Sequence, residues 1–369
     1  MKRGKIGELT IRVKVGFVGT CEKYYTDNTR FPMIRTTNLK ETGIDMSDLK
    51  YVTEDFYEKN KKSQLHDGDV LIARFGTSGM ACVYHGGNAQ CLNAIIVEPD
   101  LNTTIPEYLA IVINSRGVRE QVNRRLVGST QAILNTKVLS EIEIELPSLQ
   151  EQKIVVECFN TIRRIRSYYS RKKELLDDLI KARFVEMFGR PALNDKRWKE
   201  CSLAEVCNKI TDGEHKNPEF VEEGVPMVMA NNVQEYGVNF VGCRCISEED
   251  YKRFSKKCKP EKGDVLLVSR GATIGRCCEN NKDEEFALMG SVILMKRKEI
   301  ITSCYLVNWL KNDDIRPLIY TTSAASAQQA IYMKDLSTKK ILLPPMDLQN
   351  QFSEFVKQVD KSKFIKYIR

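Results

Sequence analysis

Histidine and tryptophan are scarce in this 369-residue chain, which holds three His and two Trp. So few imidazoles leave little for a histidine-dependent hydrolase triad. His66 precedes a Gly-Asp turn and reads as a surface residue rather than a base. No apolar run approaches the ~20 residues of a membrane helix. The longest, such as Ala94 to Val97, read as buried strands. The basic start MKRGKIGELT is followed by no apolar stretch of the kind that completes a signal peptide, so a cytoplasmic protein is expected. Cysteine is not scarce, at twelve, but Cys-x-x-Cys is absent; the nearest patterns are Cys243-x-Cys245 and Cys277-Cys278. In a chain this long that is neither a disulfide framework nor a paired zinc-ligand set, and it predicts reduced, mostly buried thiols and no metal.

Catalytic signatures are missing too. Without GxxxxGK[ST] the chain is not expected to bind ATP, and GATIG (Gly271 to Gly275) reads as a glycine turn rather than a phosphate cradle. No Gly-x-Gly follows a strand to hold a methyl donor. NPEF (Asn217 to Phe220) superficially resembles the Asn/Asp-Pro-Pro-aromatic loop that grips a flipped base, but Glu219 replaces the second proline. A Mg²⁺ nuclease needs clustered carboxylates, whereas Asp100 and Glu151 stand far apart and Glu151 opens a helix, where an acid is expected anyway.

What is present is a soluble globular composition, 42 % apolar and 29 % charged, long enough for two to three domains. The formal net charge of +8 modestly favours a polyanionic partner.

The main signal is a repeat. GDVLIARFGTSG (Gly68 to Gly79) returns as GDVLLVSRGATIG (Gly263 to Gly275). Phe31 to Asp45 is answered by Val225 to Asn239, each a strand, an Asn-bearing turn and a glycine. Thr53-Glu54-Asp55 and Ser247-Glu248-Glu249 each start a helix with a capping oxygen and acids at the positive dipole end. Gln131-Ala132-Ile133 pairs with Gln329-Ala330-Ile331, and Leu149 and Gln152 pair with Leu348 and Gln351. A spacing of roughly 195–199 residues is far too long for a solenoid and marks a duplicated α+β domain. After each glycine loop one helix is expected, over PEYLAIVINSRGVREQVNRRL and SCYLVNWLKNDDIRPLIYTT.

Each module then ends in Leu-Pro and a helical arm. The first runs from about Leu149 to Phe188, with Val155, Cys158, Ile162, Ile165, Tyr169, Leu176 and Leu179 at coiled-coil spacing. The alternative is an ordinary amphipathic helix packed on one domain. Gly189 and Pro191 stop it. The second arm keeps the spacing at Leu348, Phe352, Phe355 and Val359 but is about half as long, either by design or because the chain is a truncated form.

The ordered set resembles the specificity subunits of type I restriction–modification systems. In the second module the resemblance is carried by Trp198, TDGEHKNPEF (Thr211 to Phe220), GVPMV, NNV, ISEEDY, KGDVLLVSRGATIG and LLPPMDLQNQF. In the first it is carried by IRTTNL, HDGDVLIARFG, GSTQAIL and LPSLQEQKIV. Two departures are the missing early Trp of the first module and the short second arm. The resemblance implies target-recognition domains at 1–147 and 191–345 and spacer helices at 148–190 and 346–369. Each domain would read one half of a bipartite site in double-stranded DNA. The helices would set the gap and dock two methyltransferase subunits, with restriction subunits joining the complex. This chain would be non-catalytic and hold no cofactor; S-adenosylmethionine, ATP and Mg²⁺ are expected on the partners. The competing classes are a stand-alone methyltransferase or nuclease, and a protein-binding scaffold.

Asn and Gln can grip adenine and Arg can grip guanine, so polar residues at strand-end turns are the candidate DNA readers. They are Arg35, Thr36, Asn38, Arg74, Ser129 and Gln131 in the first module, and His215, Lys216, Asn231, Asn232, Arg270, Gln328 and Gln329 in the second. Asn38 and Asn232 alternatively satisfy turn backbone, and Gln131 and Gln329 cap a helix or meet a partner. Tyr168, Phe184 and Phe188 are the candidate partner anchors on the arm, or else close the coiled coil itself.

Overall fold

A computed structural model describes residues 2–27, 29–40, 43–74, 79–126, 133–322 and 329–363. It divides into two compact units, Met1–Tyr168 and Tyr169–Arg369.

In the first unit the main sheet is antiparallel, in the order Thr10–Val15, Ala94–Pro99, Val70–Ala73, Ala81–Val83. A second sheet places Pro32–Arg35 parallel to Ala89–Leu92, and Lys2–Lys5 pairs with Glu143–Leu146. The second unit repeats this order. Its main sheet runs Cys207–Asp212, Val292–Arg297, Val265–Val268, Cys277–Glu279. Val225–Val228 lies parallel to Ala287–Leu288, and Lys199–Ser202 pairs with Lys340–Leu343. The fold is thus α+β and duplicated, as the repeat implies.

The main strands are unbroken apolar runs because both faces of the sheet are buried. Side chains alternate along a strand. Val70, Ile72, Ile95 and Val97 enter one core, while Leu71, Ala73, Ala94 and Ile96 enter another. In the second unit Val265, Leu267, Ile293 and Met295 separate in the same way from Leu266, Val268, Val292 and Leu294.

The repeated Gly-Asp is a turn device. Gly68 and Gly263 both sit at φ 87°, where a side chain would be strained. The buried Asp69 carboxylate accepts the His66 N–H at 2.8 Å, and Asp264 accepts that of Glu261 at 2.7 Å. Burial pushes both carboxyls above their ordinary range. Thr53 and Ser247 cap their helices by accepting the N–H of Phe56 and Asp250.

Two expectations need correction. The first module's single helix is two, Pro106–Ile113 and Arg116–Leu126. The break follows from Asn114, whose side chain accepts the Ala81 N–H (3.0 Å) and donates to the Ala81 carbonyl (2.7 Å), pinning the chain to the sheet edge. In the second module Ser303–Lys311 likewise ends before Arg316–Ile319.

The register of the two arms is the second correction. Gln152 is fully buried; it accepts the Ile105 N–H at 2.9 Å and donates to the carbonyls of Thr103 (2.9 Å) and Pro147 (3.0 Å). Gln349 makes the same three bonds with Thr302 (2.8 Å), Ile300 (3.2 Å) and Pro344 (2.9 Å). Its partner is therefore Gln349, not Gln351, which is exposed. Tyr108 and Tyr305 obey the same offset, donating to the carbonyls of Glu145 and Leu342, each at 2.9 Å.

The long helix spans Leu149–Phe188 and the later arm Met346–Lys363. Within the first unit, Ile162 and Ile165 of the coiled-coil seam are exposed. Within the second, the stretch to Phe188 pairs with Met346–Lys363. Lys363 meets Asp177 at 2.6 Å and Phe352 meets both Phe184 and Phe188, an antiparallel arrangement. No described helix is long and apolar enough to cross a membrane.

Candidate nucleic-acid interface

In both units several of the candidate readers emerge at one end of the main sheet, held there by backbone bonds between strand ends. In the second unit Asp212 is in register with Ile293, and Val292 with Val268. The segments that follow or precede these residues therefore leave the sheet together. Gly290 N–H donates to the Glu214 carbonyl (2.7 Å), Met289 to Val228 (3.0 Å), Ser269 to Ser291 (2.9 Å) and Ile331 to Ser269 (2.9 Å). His215, Lys216, Asn231, Arg270 and Gln329 ride on those segments, and all five are exposed. Arg270 lies over the Tyr332 ring at 6.0 Å, a cation–π approach.

His215 is the most organised of them. Its Nε2 lies 2.6 Å from Asp212 Oδ2, and since a carboxylate can only accept, the imidazole donates there. Lys257 Nζ donates to the other oxygen at 2.7 Å. Burial pushes the Asp212 carboxyl up, but the bonds from Lys257 and His215 outweigh it and hold it below the ordinary range. A side chain at Gly290 would begin 2.5 Å from His215 Nδ1, so the imidazole occupies space that only glycine leaves open. A carboxyl lowered by folding adds stability above its ordinary value and loses it as pH falls through the lowered one. Asp212→Asn is thus expected to flatten the acid limb of an unfolding profile below the ordinary carboxylate range, about pH 4.

In the first unit Val15 pairs with Ile95 and Ala94 with Ala73. Asn93 N–H donates to the Phe17 carbonyl at 2.9 Å and Leu134 N–H to that of Arg74 at 3.2 Å. Thr36 Oγ1 donates to the Asn93 carbonyl at 3.2 Å, and Arg74 Nε to that of Leu134 at 3.2 Å. Thr36 and Arg74 are half-buried at this end. Backbone register places Arg74 opposite Ser269, not Arg270, because Leu134 and Ile331 donate to equivalent carbonyls. The arginine of the second loop thus stands one position further along than that of the first.

Several expected readers are elsewhere. Asn38 is buried, accepts the Arg35 N–H at 3.0 Å and donates to the carbonyls of Asp45 and Asp48, each at 3.2 Å. Asn232 is buried likewise, accepting the Met229 N–H and donating to the Asn239 carbonyl, each at 3.1 Å. Both amides are consumed by their turns. Arg35 is committed to Asp48, whose Oδ2 accepts from Nη2 at 2.8 Å. Ser129, Gln131 and Gln328 lie outside the described residues. Of the partner anchors, Tyr168 is 67 % exposed, but Phe184 and Phe188 are buried against Tyr305 and Phe352 and belong to the second unit's core.

Two positions were missed by sequence reasoning. Val18 is 63 % exposed and stands where the second unit has His215, since Phe17 bridges Leu92 as Glu214 bridges Met289. Asn93, at φ 58°, stands where the second unit has Gly290. The only sequence signal was the asparagine itself, which tolerates the left-handed region better than most residues.

All twelve cysteines are free of disulfides, and burial pushes Cys91, Cys207 and Cys278 up to about 12. Among the described residues no three His, Cys, Asp or Glu cluster as metal ligands would.

Comparison with known proteins places this geometry. The family model for the type I restriction modification DNA specificity domain matches twice, over residues 17–176 and 195–367. The putative type I restriction enzyme MjaX specificity subunit of Methanocaldococcus jannaschii is 22 % identical over 93 % of this chain and 83 % of its own. The EcoKI specificity subunit of Escherichia coli K12 is 21 % identical, over 91 % and 76 %. Among solved structures, a type I restriction–modification S subunit from M. genitalium aligns with TM-score 0.53 at 15 % identity, over 98 % of this chain and 90 % of that one. A chain from a type I R-M system aligns with TM-score 0.52 at 16 % identity and the same coverage.

Proposed function

The chain belongs to the type I restriction–modification DNA specificity family, and from that premise we propose that its two units read the two halves of a split site in double-stranded DNA while partner subunits do the chemistry. The observation that carries this reading is a common scaffold with different side chains at matching places. Val18 answers His215, Asn93 answers Gly290 and Arg74 answers Ser269 at the same end of the same sheet. Two different half-sites, and hence an asymmetric sequence, follow from that difference.

Phosphate contact sets register, and base edges are read by the exposed polar groups. In this reading Arg74, His215, Lys216, Asn231, Arg270 and Gln329 meet the DNA, with Thr36 at their margin. The turns built by Asn38 and Asn232 hold them in place. The long helix, about 60 Å at 1.5 Å per residue, fixes the gap and offers Tyr168 to methyltransferase subunits, two per complex. Restriction subunits complete the assembly. S-adenosylmethionine, ATP and Mg²⁺ belong to those partners, and this chain acts without catalysis of its own in the cytoplasm.

The test combines the purified chain with its methyltransferase subunits and asks whether one split sequence is bound and protected. Binding should weaken steeply with salt, because each neutralised phosphate releases counterions. Arg270→Ala should cost about 1–3 kcal/mol and relax only one half of the sequence, if it grips a base. Arg74→Ala should do the same for the other half. Wild-type affinity and specificity in both variants would remove the assignment. Methylation or cleavage by the chain alone would favour an enzyme, and salt-independent binding a protein scaffold.

A further inference from the structure

One strand end of the second unit carries a polar group that its scaffold does not require. Asp212 is in register with Ile293, and in the first unit Val15 holds the same place opposite Ile95. Val18 likewise stands where the second unit has His215. The same sheet therefore forms with neither an acid nor an imidazole at that end. In the second unit the buried Asp212 carboxylate takes two donors, His215 Nε2 at 2.6 Å and Lys257 Nζ at 2.7 Å. The His215 side chain is itself 51 % exposed, and its Nδ1 has no hydrogen-bond partner among the described residues. Gly290 makes room for the ring, since a Cβ there would begin 2.5 Å from Nδ1.

The ammonium of Lys257 already meets the single charge of the carboxylate, so a neutral imidazole completes the group. With its one proton on Nε2, the ring offers Nδ1 as an acceptor. The geometry points to Asp212 and Lys257 as positioning residues that hold His215 in this tautomer. His215 then reads the amino group of one base in the second unit's half-site, adenine N6 or cytosine N4 in the major groove. A phosphate oxygen only accepts and does not match a neutral Nδ1. This assignment rests on the DNA reading proposed above, and it gives His215 the identity of one base pair rather than general affinity.

The test uses the chain combined with its methyltransferase subunits and the split duplex it binds. Amino groups of the second half-site are removed one at a time, with purine in place of adenine and 2-pyrimidinone in place of cytosine. At one position the removal should weaken wild-type binding about threefold to tenfold, the worth of one hydrogen bond. The same removal should leave His215→Ala unaffected. Asp212→Asn should also lose the discrimination. Lys257 has only donors and takes the amide oxygen, which turns the amide NH2 toward Nε2 and moves the ring proton to Nδ1. Nitrogen-15 NMR of histidine-labelled chain, with the His215 signals identified by their loss in His215→Ala, should find that proton on Nε2 in the wild type and on Nδ1 in Asp212→Asn. An acid with a purely structural role would change neither the tautomer nor the response to amino removal, and circular dichroism confirms that both variants are folded. Split-site binding in which no amino removal is coupled to His215, or a wild-type ring with its proton on Nδ1, would overturn the inference and leave the DNA reading standing. Failure to bind any split sequence would overturn that reading and the inference with it.

Discussion

Gln349→Leu is expected to destabilise the second unit by about 3–6 kcal/mol, among the larger losses a single surface-preserving substitution can produce. The Gln349 side chain is fully buried, and leucine of similar size strands three backbone groups at once: the Thr302 N–H and the Ile300 and Pro344 carbonyls. Each buried group left unpaired costs about 1–3 kcal/mol. Both tryptophans, Trp198 and Trp309, lie in the second unit, so their fluorescence during urea unfolding reports on it directly. The midpoint should drop for Gln349→Leu and the Thr302 amide should lose its exchange protection. Gln152→Leu should produce the same loss in the first unit, lifting protection from the Ile105 amide. Gln351→Leu, at an exposed position, should stay within about 0.5 kcal/mol. A Gln351→Leu loss as large as that of Gln349→Leu would refute the structural register.

That contrast marks what the sequence could and could not convey. The duplication, the α+β class and the helix caps at Thr53 and Ser247 were legible because they rest on local chemistry repeated in order. The Gly-Asp turn was legible for the same reason, since φ 87° at Gly68 and Gly263 admits few other residues. The pairing of Gln152 was misread because LQEQ of the first arm matches LQNQ of the second two residues out of the structural register, which leaves two glutamines in view. Only the carbonyls of the preceding proline and loop, bonded by one glutamine and not the other, distinguish them. Asn38 and Asn232 look like readers for the reason that they make good turn formers: a short amide that both donates and accepts. Burial decides between the roles, and burial is a property of the fold. The Asp212–His215–Lys257 group joins residues far apart in sequence, and the space for the imidazole depends on Gly290, a contact no local pattern announces. Val18 carries no polar group to single it out in the sequence, and its exposure at the candidate interface emerges only in the fold.

Phe188→Ala and Phe184→Ala are each expected to cost the second unit about 3–5 kcal/mol, the usual range for emptying a buried phenylalanine site. Spacing along the helix leaves both open as partner anchors or as residues that close the helix pair, and burial to 1 % and 2 % exposure assigns them to the interior. Phe188 meets Tyr305 and Phe352 edge-on, and Phe184 stacks on Tyr305 while meeting Phe352 edge-on. Such ring pairs add about 0.5–1.5 kcal/mol beyond the area buried. The Phe188 carbonyl also accepts the Trp198 indole N–H at 2.9 Å, so Trp198 fluorescence should respond in the folded state of Phe188→Ala before any denaturant is added. Tyr168→Ala, at a site 67 % exposed, should leave stability within about 0.5 kcal/mol. If Tyr168 meets a methyltransferase subunit, its replacement should instead weaken assembly at unchanged stability. The phenylalanine variants should lower the unfolding midpoint whether or not a partner is present. Equal stability for Phe188→Ala and Tyr168→Ala would mean that the aromatic cluster is not what holds the long helix to the second unit.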